Sequence, residues 1–522
     1  MKVYFQEHCP GATEADIAPI TDDSDSITAG HHFVGFTDDG YSQYYCSLCE
    51  NGLQFGMICD FCGVVVDTGL CLHTVSTKVP CKIVPRLLAD ALLHHWVRGN
   101  LPPSSDCVVC GEVCGIGVGL VDYQCVLCRV CVHTDCKFSI DEKCDLGVNR
   151  DFIISPDWVE LRKVGSRRKK QLVIETLRVP ENCSFLWTPL FVIVNPKSGD
   201  ALGFEVLRTF RRTLHPVQVI NIEQTKIGTA LRWISANSQS DCYILVAGGN
   251  GTLARILDIV SGFDRSPPVA ILPIGTGNDL SRVLGWGAAY SGPVDVDEIC
   301  RQLRKALKVK LDIWNVDIIH RRRFGVQAKN KHLIMVNYIS IGVDACVTFG
   351  MQATREGIPK AFSSRFLNKL LFLTYGTKDV LEHACAGLEK KIELTVDGRT
   401  VELPEIEGLV VLNIPFWGAG VRPWGESSDM PQAIDDEKLE VFAVRSSLHI
   451  GQLQIGVSQG IRIAQGRSLK LRLFGGPLPM QCDGEAWIQH VGVIEITHKH
   501  QADVLSNVNT TKETSSFFLF NS

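Results

Sequence analysis

From His94 the chain reads H-x12-C-x2-C-x14-C-x2-C-x4-H-x2-C-x7-C, ending at Cys144. No other feature restricts its folding so strongly. So short a stretch has little apolar core of its own, whereas eight soft or borderline ligands at these spacings can build two tetrahedral metal sites. Eight positions do not align this way by chance, so buried free thiols are a poor alternative. Cys114 and Cys131 lie off the pattern. A degenerate copy precedes it at 31–81, with Cys46, Cys49, Cys59, Cys62, Cys71 and Cys81 behind either His31 or His32. Where its second histidine is due, four residues beyond Cys62, the chain has Asp67; a carboxylate can ligate zinc, and His73 is a less well-placed substitute.

Of 21 cysteines, 15 fall between Cys9 and Cys144 and the other six are scattered singly. Clustered C-x-x-C pairs interleaved with histidine suit zinc and a reducing, cytoplasmic compartment rather than disulfides. The acidic opening carries no secretory signal, and no run approaches the roughly 20 apolar residues that span a bilayer. Membrane contact is therefore expected to be peripheral. A chain of 522 residues needs several domains, and at 45% hydrophobic, 21% charged and a net charge of −5 it reads as globular. Nothing in that balance advertises a nucleic-acid reader, so no nucleic-acid partner is expected.

Residues 1–30 read as a disordered acidic N-terminus, 145–187 as a basic linker and 501–522 as a flexible tail. The linker contains the cationic run 162–170, either a solvated stretch or a contact for anionic phospholipid headgroups. From Pro189 short apolar β-runs alternate with helical stretches. Strands are expected at Leu190–Val194, Val217–Ile222, Cys242–Ala247 and Val269–Leu272, with helices to about Arg212, over Ile227–Ala236, to Val260 and after Asp279. Such alternation predicts an α/β domain, 188–308, built on a mostly parallel sheet with ligands at the strand C-terminal ends. Three of these strands run into turns rich in glycine or asparagine: Asn195-Pro196-Lys197-Ser198-Gly199, Gly248-Gly249-Asn250-Gly251-Thr252 and Gly275-Thr276-Gly277-Asn278-Asp279. Backbone N–H groups of a turn that opens a helix face an anion, and glycine lets phosphate approach. One such turn is a weak signal; three in one sheet are a strong one. The Walker pattern and the protein-kinase elements are absent.

Beyond 308 strands dominate: Val309–Ile319, Leu333–Ile341, Lys391–Val396, Gly408–Ile414, Leu439–Val444, Ser468–Phe474 and Val491–Thr497, with a tight turn at Asp397-Gly398 and a helix around Ser364–Leu381. The segment 309–500 is therefore expected to be an antiparallel β-rich accessory domain packed beside the first. The chain is multidomain: two small zinc-finger modules, then an α/β nucleotide-binding domain and its β-rich partner.

The three turns, together with Asn337-Tyr338-Ile339-Ser340-Ile341-Gly342-Val343-Asp344-Ala345, the block 362–369, Leu412–Gly418 and Gln481-Cys482-Asp483-Gly484-Glu485-Ala486-Trp487, resemble the catalytic region of the diacylglycerol kinase family over about 188–500. The block 94–144 resembles that family's phorbol-ester/diacylglycerol-type zinc finger. The two-finger layout and Tyr375–Asp379 are most similar to the epsilon type, although that type's N-terminal hydrophobic segment is missing. The resemblance implies ATP-dependent phosphorylation of diacylglycerol to phosphatidic acid at a membrane surface, with Mg2+ and Zn2+ as cofactors. It also implies interleaved zinc sites: His94, Cys125, Cys128 and Cys144 at one, Cys107, Cys110, His133 and Cys136 at the other. His94 is preferred to its neighbour His95 because the family's His-x-aromatic opening then falls on Trp96. Lipid-responsive fingers carry Gln-Gly four and three residues before the third cysteine. Here those positions are Val121-Asp122 and Phe55-Gly56, which implies a structural or docking role.

One departure bears on catalysis. The family's Gly-Gly-Asp-Gly-Thr is here Gly248-Gly249-Asn250-Gly251-Thr252, so an amide stands where the family has a carboxylate. The remaining candidate carboxylates are Asp279, Asp312, Asp483 and Glu485, with magnesium expected near Asp483. Each has a plainer reading: Asp483-Gly484 as a β-turn, Asp279 as a helix cap, Lys197 as an exposed lysine. Two rival functions stand beside the kinase: a catalytically weak scaffold, which Asn250 favours, and a kinase of another lipid alcohol such as sphingosine or ceramide.

Overall fold

In the computed structural model the residues described here are 30–37, 44–88, 91–166, 169–179, 186–199, 202–231, 241–275, 277–320, 330–348, 385–425 and 429–507. They fall into two compact units. The first comprises Met1–Val192, Phe204–Cys242 and Val294–Arg301; the second comprises Ile193–Gly203, Tyr243–Pro293 and Gln302–Ser522. The expected disorder over 1–29, Thr276, the helix at 364–381 and the blocks 362–369 and 375–379 lie outside the described residues.

The first unit begins with two small modules. In the first, β1 (Phe33–Thr37), β2 (Phe55–Cys59) and β3 (Val65–Val66) form an antiparallel sheet in that order, followed by α1 (Leu70–Lys78). In the second, β4 (Trp96–Arg98), β5 (Tyr123–Cys125) and β6 (Cys131–Val132) pair in the order β6-β5-β4. Cysteines take the place of an apolar core: Cys46, Cys59, Cys81 and Cys125 are fully buried.

The expected linker 145–187 instead contains an antiparallel hairpin, β7 (Val159–Ser166) and β8 (Lys169–Leu177). Its stem is held by the cross-strand pairs Arg162–Glu175 and Arg178–Glu160. The charge run masked this strand pattern, because Arg162 and Glu175 occupy strand positions rather than a solvated linker.

The α/β stretch follows the expected order: β9 (Leu190–Val194), α2 (Leu202–Thr213), β10 (Val219–Asn221), β11 (Tyr243–Gly248), α3 (Asn250–Ser261), β12 (Val269–Pro273), α4 (Asp279–Val283) and α5 (Val296–Lys305). β9, β11 and β12 are short and almost wholly apolar, as strands covered on both faces must be. β10 starts later than Val217 because Pro216–Gln218 form a 3-10 turn whose N-cap is the His215 ring.

In the second unit β11 and β12 run parallel, and the sheet continues through β24 (Gly492–Ser506), β21 (Ser468–Leu473), β16 (Ile392–Val396) and β17 (Arg399–Val401). A long β13 (Leu307–His320) lies along β24 and carries β14 (Lys331–Met335) on its other side. The last strand reaches Ser506, past the expected boundary at residue 500, and returns to pair with β12, Val269 opposite Val504. The α/β and β-rich halves therefore share one sheet.

A second, antiparallel sheet has the order β20 (Ile461–Gly466), β19 (Leu439–Val444), β18 (Gly408–Leu412), β15 (Tyr338–Gly342), β22 (Leu478–Cys482) and β23 (Glu485–Gln489). Side-chain alternation explains how the two sheets pack. Trp314, Leu394, Leu471, Ile494 and Ile496 from the first meet Ile339, Ile341, Leu409, Val411 and Met480 from the second in one apolar core. The opposite face of β18 and β19 (Val410, Leu412, Phe442, Val444) packs with Trp417, Trp424 and Ile450 of α6 (Ser447–Gln454). β21 reads Ser-Leu-Lys-Leu-Arg-Leu and buries only its leucines.

The expected strand Leu333–Ile341 is two strands, β14 and β15, in different sheets. The break has a cause: the Asp483 carboxylate accepts the N–H groups of Val336, Asn337 and Tyr338 at 2.8, 2.7 and 3.1 Å, removing them from any ladder.

Candidate active site

Each of the three turns leaves the C-terminal end of a strand, and within the second unit side chains and close glycine contacts lace them together. Asn195 donates its backbone N–H to Ala247 (3.0 Å) and its Nδ2 to Thr252 Oγ1 (3.2 Å), tying the first turn to the second. Its Oδ1 accepts the N–H of Lys197 at 3.2 Å, and Ser198 N donates to its carbonyl at 3.1 Å. Gly199 adopts φ +68°, and a Cβ there would stand 2.5 Å from the Ile274 carbonyl oxygen, so the first turn also rests on the third. At Gly275 a Cβ would stand 2.4 Å from the Cα of Gly249; two glycine backbones touch where any side chain would force them apart. Asn278, buried, donates to the carbonyls of Gly275 (2.7 Å) and Ala288 (2.8 Å) and so shapes the third turn from within.

Asn250 is the first residue of α3, and its Nδ2 donates to the Gly277 carbonyl at 2.7 Å. The amide is thus the strut between the second and third turns. A carboxylate could not make this bond, since it has no proton to give.

The candidate carboxylates separate by environment. Glu485 is exposed at the start of β23, and a Cβ added at Gly251 would lie 3.7 Å from its Oε1, which places this carboxylate beside the opening of α3. Asp483, two residues away, is buried with φ +49° in the β22–β23 turn, and three backbone donors occupy both its oxygens. Asp312 is fully buried; its oxygens meet His498 Nε2 (3.0 Å), Gln501 Nε2 (3.0 Å) and the N–H of Glu437 (2.7 Å). Asp483 and Asp312 therefore brace the fold through these hydrogen bonds. In this arrangement neither of these two expected catalytic acids has a carboxylate oxygen without a protein donor. Asp279 begins α4, and its Oδ2 accepts from Ala419 N at 3.3 Å while Oδ1 is buried without a hydrogen-bond partner among the described residues. Burial pushes the Asp279 and Asp483 carboxyls up to about 6.

Next to these residues lies a buried polar group that no motif singles out. Ser340 donates to Asp344, Gln481 Nε2 donates to Ser340 Oγ at 2.9 Å, and Gly484 N donates to Gln481 Oε1 at 2.9 Å. Asp344 is likewise pushed up to about 6 by burial. The signal was available: Ser340 and Gln481 are polar residues in strands whose every position is buried.

In the two modules the candidate metal ligands gather into four quartets, each with its donor atoms within 4.8 Å of one another: His31, Cys59, Cys62, Cys81; Cys46, Cys49, Asp67, Cys71; His94, Cys125, Cys128, Cys144; and Cys107, Cys110, His133, Cys136. His31, not His32, reaches a quartet, because His32 Nδ1 lies 2.8 Å from Asp60. His94 Nδ1 lies 3.4 Å from Cys128 Sγ, whereas His95 is buried and held down to about 4 by desolvation. Each set offers the four donors a tetrahedral ion takes. A fifth grouping of Cys114, Asp122 and His133 reuses His133, and the Asp122 oxygens already accept from Gly115 N (2.8 Å) and Thr134 N (3.0 Å).

Comparison with known proteins bears on this arrangement directly. Residues 94–147 match the phorbol esters/diacylglycerol binding domain (C1 domain), 189–316 the diacylglycerol kinase catalytic domain and 334–486 the diacylglycerol kinase accessory domain. Diacylglycerol kinase 2 of Arabidopsis thaliana is 30% identical over 92% of this chain and 84% of its own length. The chain belongs to the diacylglycerol kinase family. The family likeness extends to a probable diacylglycerol kinase 3 of Caenorhabditis elegans, 30% identical over 90% of this chain and 63% of that protein. Diacylglycerol kinase theta of Rattus norvegicus is 40% identical over 61% of this chain but only 34% of its own length. A solved diacylglycerol kinase from Bacillus anthracis aligns with 61% of this chain and 96% of its own, at 20% identity and a TM-score of 0.41.

Proposed function

We propose that this diacylglycerol kinase transfers the γ-phosphoryl group of ATP to the primary hydroxyl of 1,2-diacylglycerol, giving phosphatidic acid. One observation carries the site assignment: the three strand-end turns are tied together by the Asn195–Thr252 and Asn250–Gly277 hydrogen bonds and by a glycine–glycine contact, and the backbone N–H groups of turns that open helices suit an anion. Such a surface neutralises and orients phosphate, and phosphoryl transfer depends chiefly on positioning and charge compensation. The β- and γ-phosphates lie along Gly248–Thr252 and Gly275–Asn278 in this reading, and Asn195, Lys197 and Ser198 complete the cradle.

The Glu485 carboxylate is the one open acid at this cradle among the described residues. It accepts the acceptor hydroxyl's proton or faces the nucleotide's Mg2+, which when bound would offset phosphate charge. Asn250 holds the cradle's shape rather than acting as a base, so its replacement of the family's Asp changes the division of labour without abolishing chemistry. The four quartets would hold Zn2+ and supply the interior the small modules lack. Asp122 bridges the two loops of the second module, where lipid-responsive members carry glycine, and this favours a structural finger over a lipid-sensing one. No helix among the described residues is long and apolar enough to cross a membrane, and the substrate is met at a membrane surface, whose anionic headgroups attract a basic sequence such as 162–170. Glu485→Gln is the test. Turnover should fall about 10²–10⁴-fold with ATP affinity retained; full turnover in that variant would remove Glu485 from the mechanism.

A further inference from the structure

The buried chain formed by Asp344, Ser340 and Gln481 has no part in the chemistry above. The three residues are 2%, 2% and 0% exposed, and they lie wholly within the second unit. Ser340 and Gln481 sit in strands whose every position is buried, between the apolar neighbours Ile339, Ile341, Met480 and Cys482. Polar groups in such a place are costly unless each finds a partner, and an apolar set of the same volume would hold the sheets together as well. Their presence therefore calls for a positional explanation, and the direction of the hydrogen bonds supplies one.

Ser340 and Gln481 stand directly opposite each other on the paired strands β15 and β22. Ser340 gives its single proton to Asp344, which leaves Oγ as an acceptor for Gln481 Nε2 at 2.9 Å. That bond decides which way the Gln481 amide faces. Its oxygen turns to the hairpin tip, where it accepts the Gly484 N–H at 2.9 Å. The β22–β23 turn has two central residues, Asp483 and Gly484, both at positive φ (+49° and +90°), and it pairs Cys482 with Glu485. Asp483 is clamped from the other side: its N–H donates to the Tyr338 carbonyl at 3.0 Å, and its carboxylate takes the N–H groups of Val336, Asn337 and Tyr338. Both central residues are thus held. The next residue is Glu485, whose carboxylate stands beside Gly251 at the opening of α3.

We propose that Gln481, oriented by Ser340 and Asp344, is a positioning residue for the Glu485 carboxylate: it locks the turn that presents this acid to the nucleotide cradle. None of the three touches substrate. The proposal rests on the reading of Glu485 given under the function above, and its test separates the two. In the full chain, Gln481→Leu and Ser340→Ala are each made in the parent and in Glu485→Gln. Each protein is measured for kcat, for KM for ATP and for affinity toward a fluorescent ATP analogue, with thermal melts reporting the fold. Displacing a catalytic group by about 1 Å costs on the order of a hundredfold in rate. Gln481→Leu removes both links, so kcat should fall roughly ten- to hundredfold. Ser340→Ala leaves Gly484 its acceptor but frees the amide, so its loss should be smaller. Nucleotide affinity and KM for ATP should hold, because the cradle's turns keep their own bonds. In the Glu485→Gln background neither substitution should lower kcat further, since the group they aim is gone. Loss of kcat by the same factor in both backgrounds would mean a general structural role and would overturn the proposal. So would a folded Gln481→Leu protein with parental kcat, which would leave Glu485 in place. Parental kcat in Glu485→Gln itself would remove the acid from the mechanism, and the proposal with it. If Gln481→Leu does not fold, Ser340→Ala decides by the same comparison: a loss confined to the parent background supports the proposal, and an equal loss or none overturns it.

Discussion

Replacing Asn250 with Asp installs the carboxylate that the family resemblance implies at this position but breaks a bond this chain has built. Asn250 Nδ2 sits 2.7 Å from the Gly277 carbonyl oxygen. In Asn250→Asp an acceptor faces that acceptor, so the hydrogen bond is lost and two oxygens repel at contact distance. Losing one partner of a part-buried hydrogen bond costs about 1–3 kcal/mol. A negative charge on the first residue of α3 returns about 0.3–1 kcal/mol through the helix N-terminus. The net loss is about 1–2 kcal/mol, which lowers Tm by roughly 2–8 °C for a unit of a couple of hundred residues. Mg2+ should recover much of this loss, because the cation gives the new carboxylate a partner. Thermal melts in chelator and in excess Mg2+ measure both effects, with Asn250→Ala as the uncharged control that loses the bond alone. The parent should be active and Asn250→Asp should show a steeper Mg2+ dependence of turnover. An Asn250→Asp protein as stable as the parent in chelator would refute the strut. A silent parent and an active Asp variant would instead favour a scaffold that lost catalysis at this position.

Gly275→Ala places a Cβ 2.4 Å from the Gly249 backbone, so the turns must separate and ATP affinity should fall by at least tenfold in a direct binding titration; wild-type affinity would show that the turns do not meet as described. Metal analysis of the intact chain should find about four zinc ions, two for each eight-ligand module, and finding only two would mean that the Asp67-containing module is not filled as its geometry suggests. Burial raises Asp344 from 3.8 to about 6, so the neutral form is favoured in the fold. The stability it contributes is present below about pH 4 and is lost as pH rises through about 6, by up to about 3 kcal/mol. Thermal stability of the parent relative to Asp344→Asn should therefore fall across that window, and parallel curves would contradict the assignment.

The α/β half was legible because its code is local. Apolar runs such as Leu190–Val194 and Val269–Pro273 end in turns whose glycines and asparagines mark strand-to-helix transitions. The metal quartets were legible because their spacing is the fold, down to Asp67 standing near Cys46, Cys49 and Cys71. What failed was non-local. No sequence window around 333–341 reveals that a carboxylate 140-odd residues later takes three N–H groups and splits the strand. The same contact removed Asp483 from the list of open acids, and His498, Gln501 and Glu437 removed Asp312. The hairpin β7–β8 escaped because cross-strand Arg–Glu pairs look like a charged linker until the partner strand is known. Glu485 differs from Asp483 only in what surrounds it, and surroundings are a property of the fold.

The central claim is tested most directly by phosphate transfer from radiolabelled ATP to diacylglycerol in mixed micelles, with the wild type and Gly249→Asp run in parallel. Labelled phosphatidic acid from the wild type and none from Gly249→Asp is the expected result. A folded, metal-replete wild-type protein that yields no labelled phosphatidic acid, or a Gly249→Asp protein that yields as much as the parent, would contradict it.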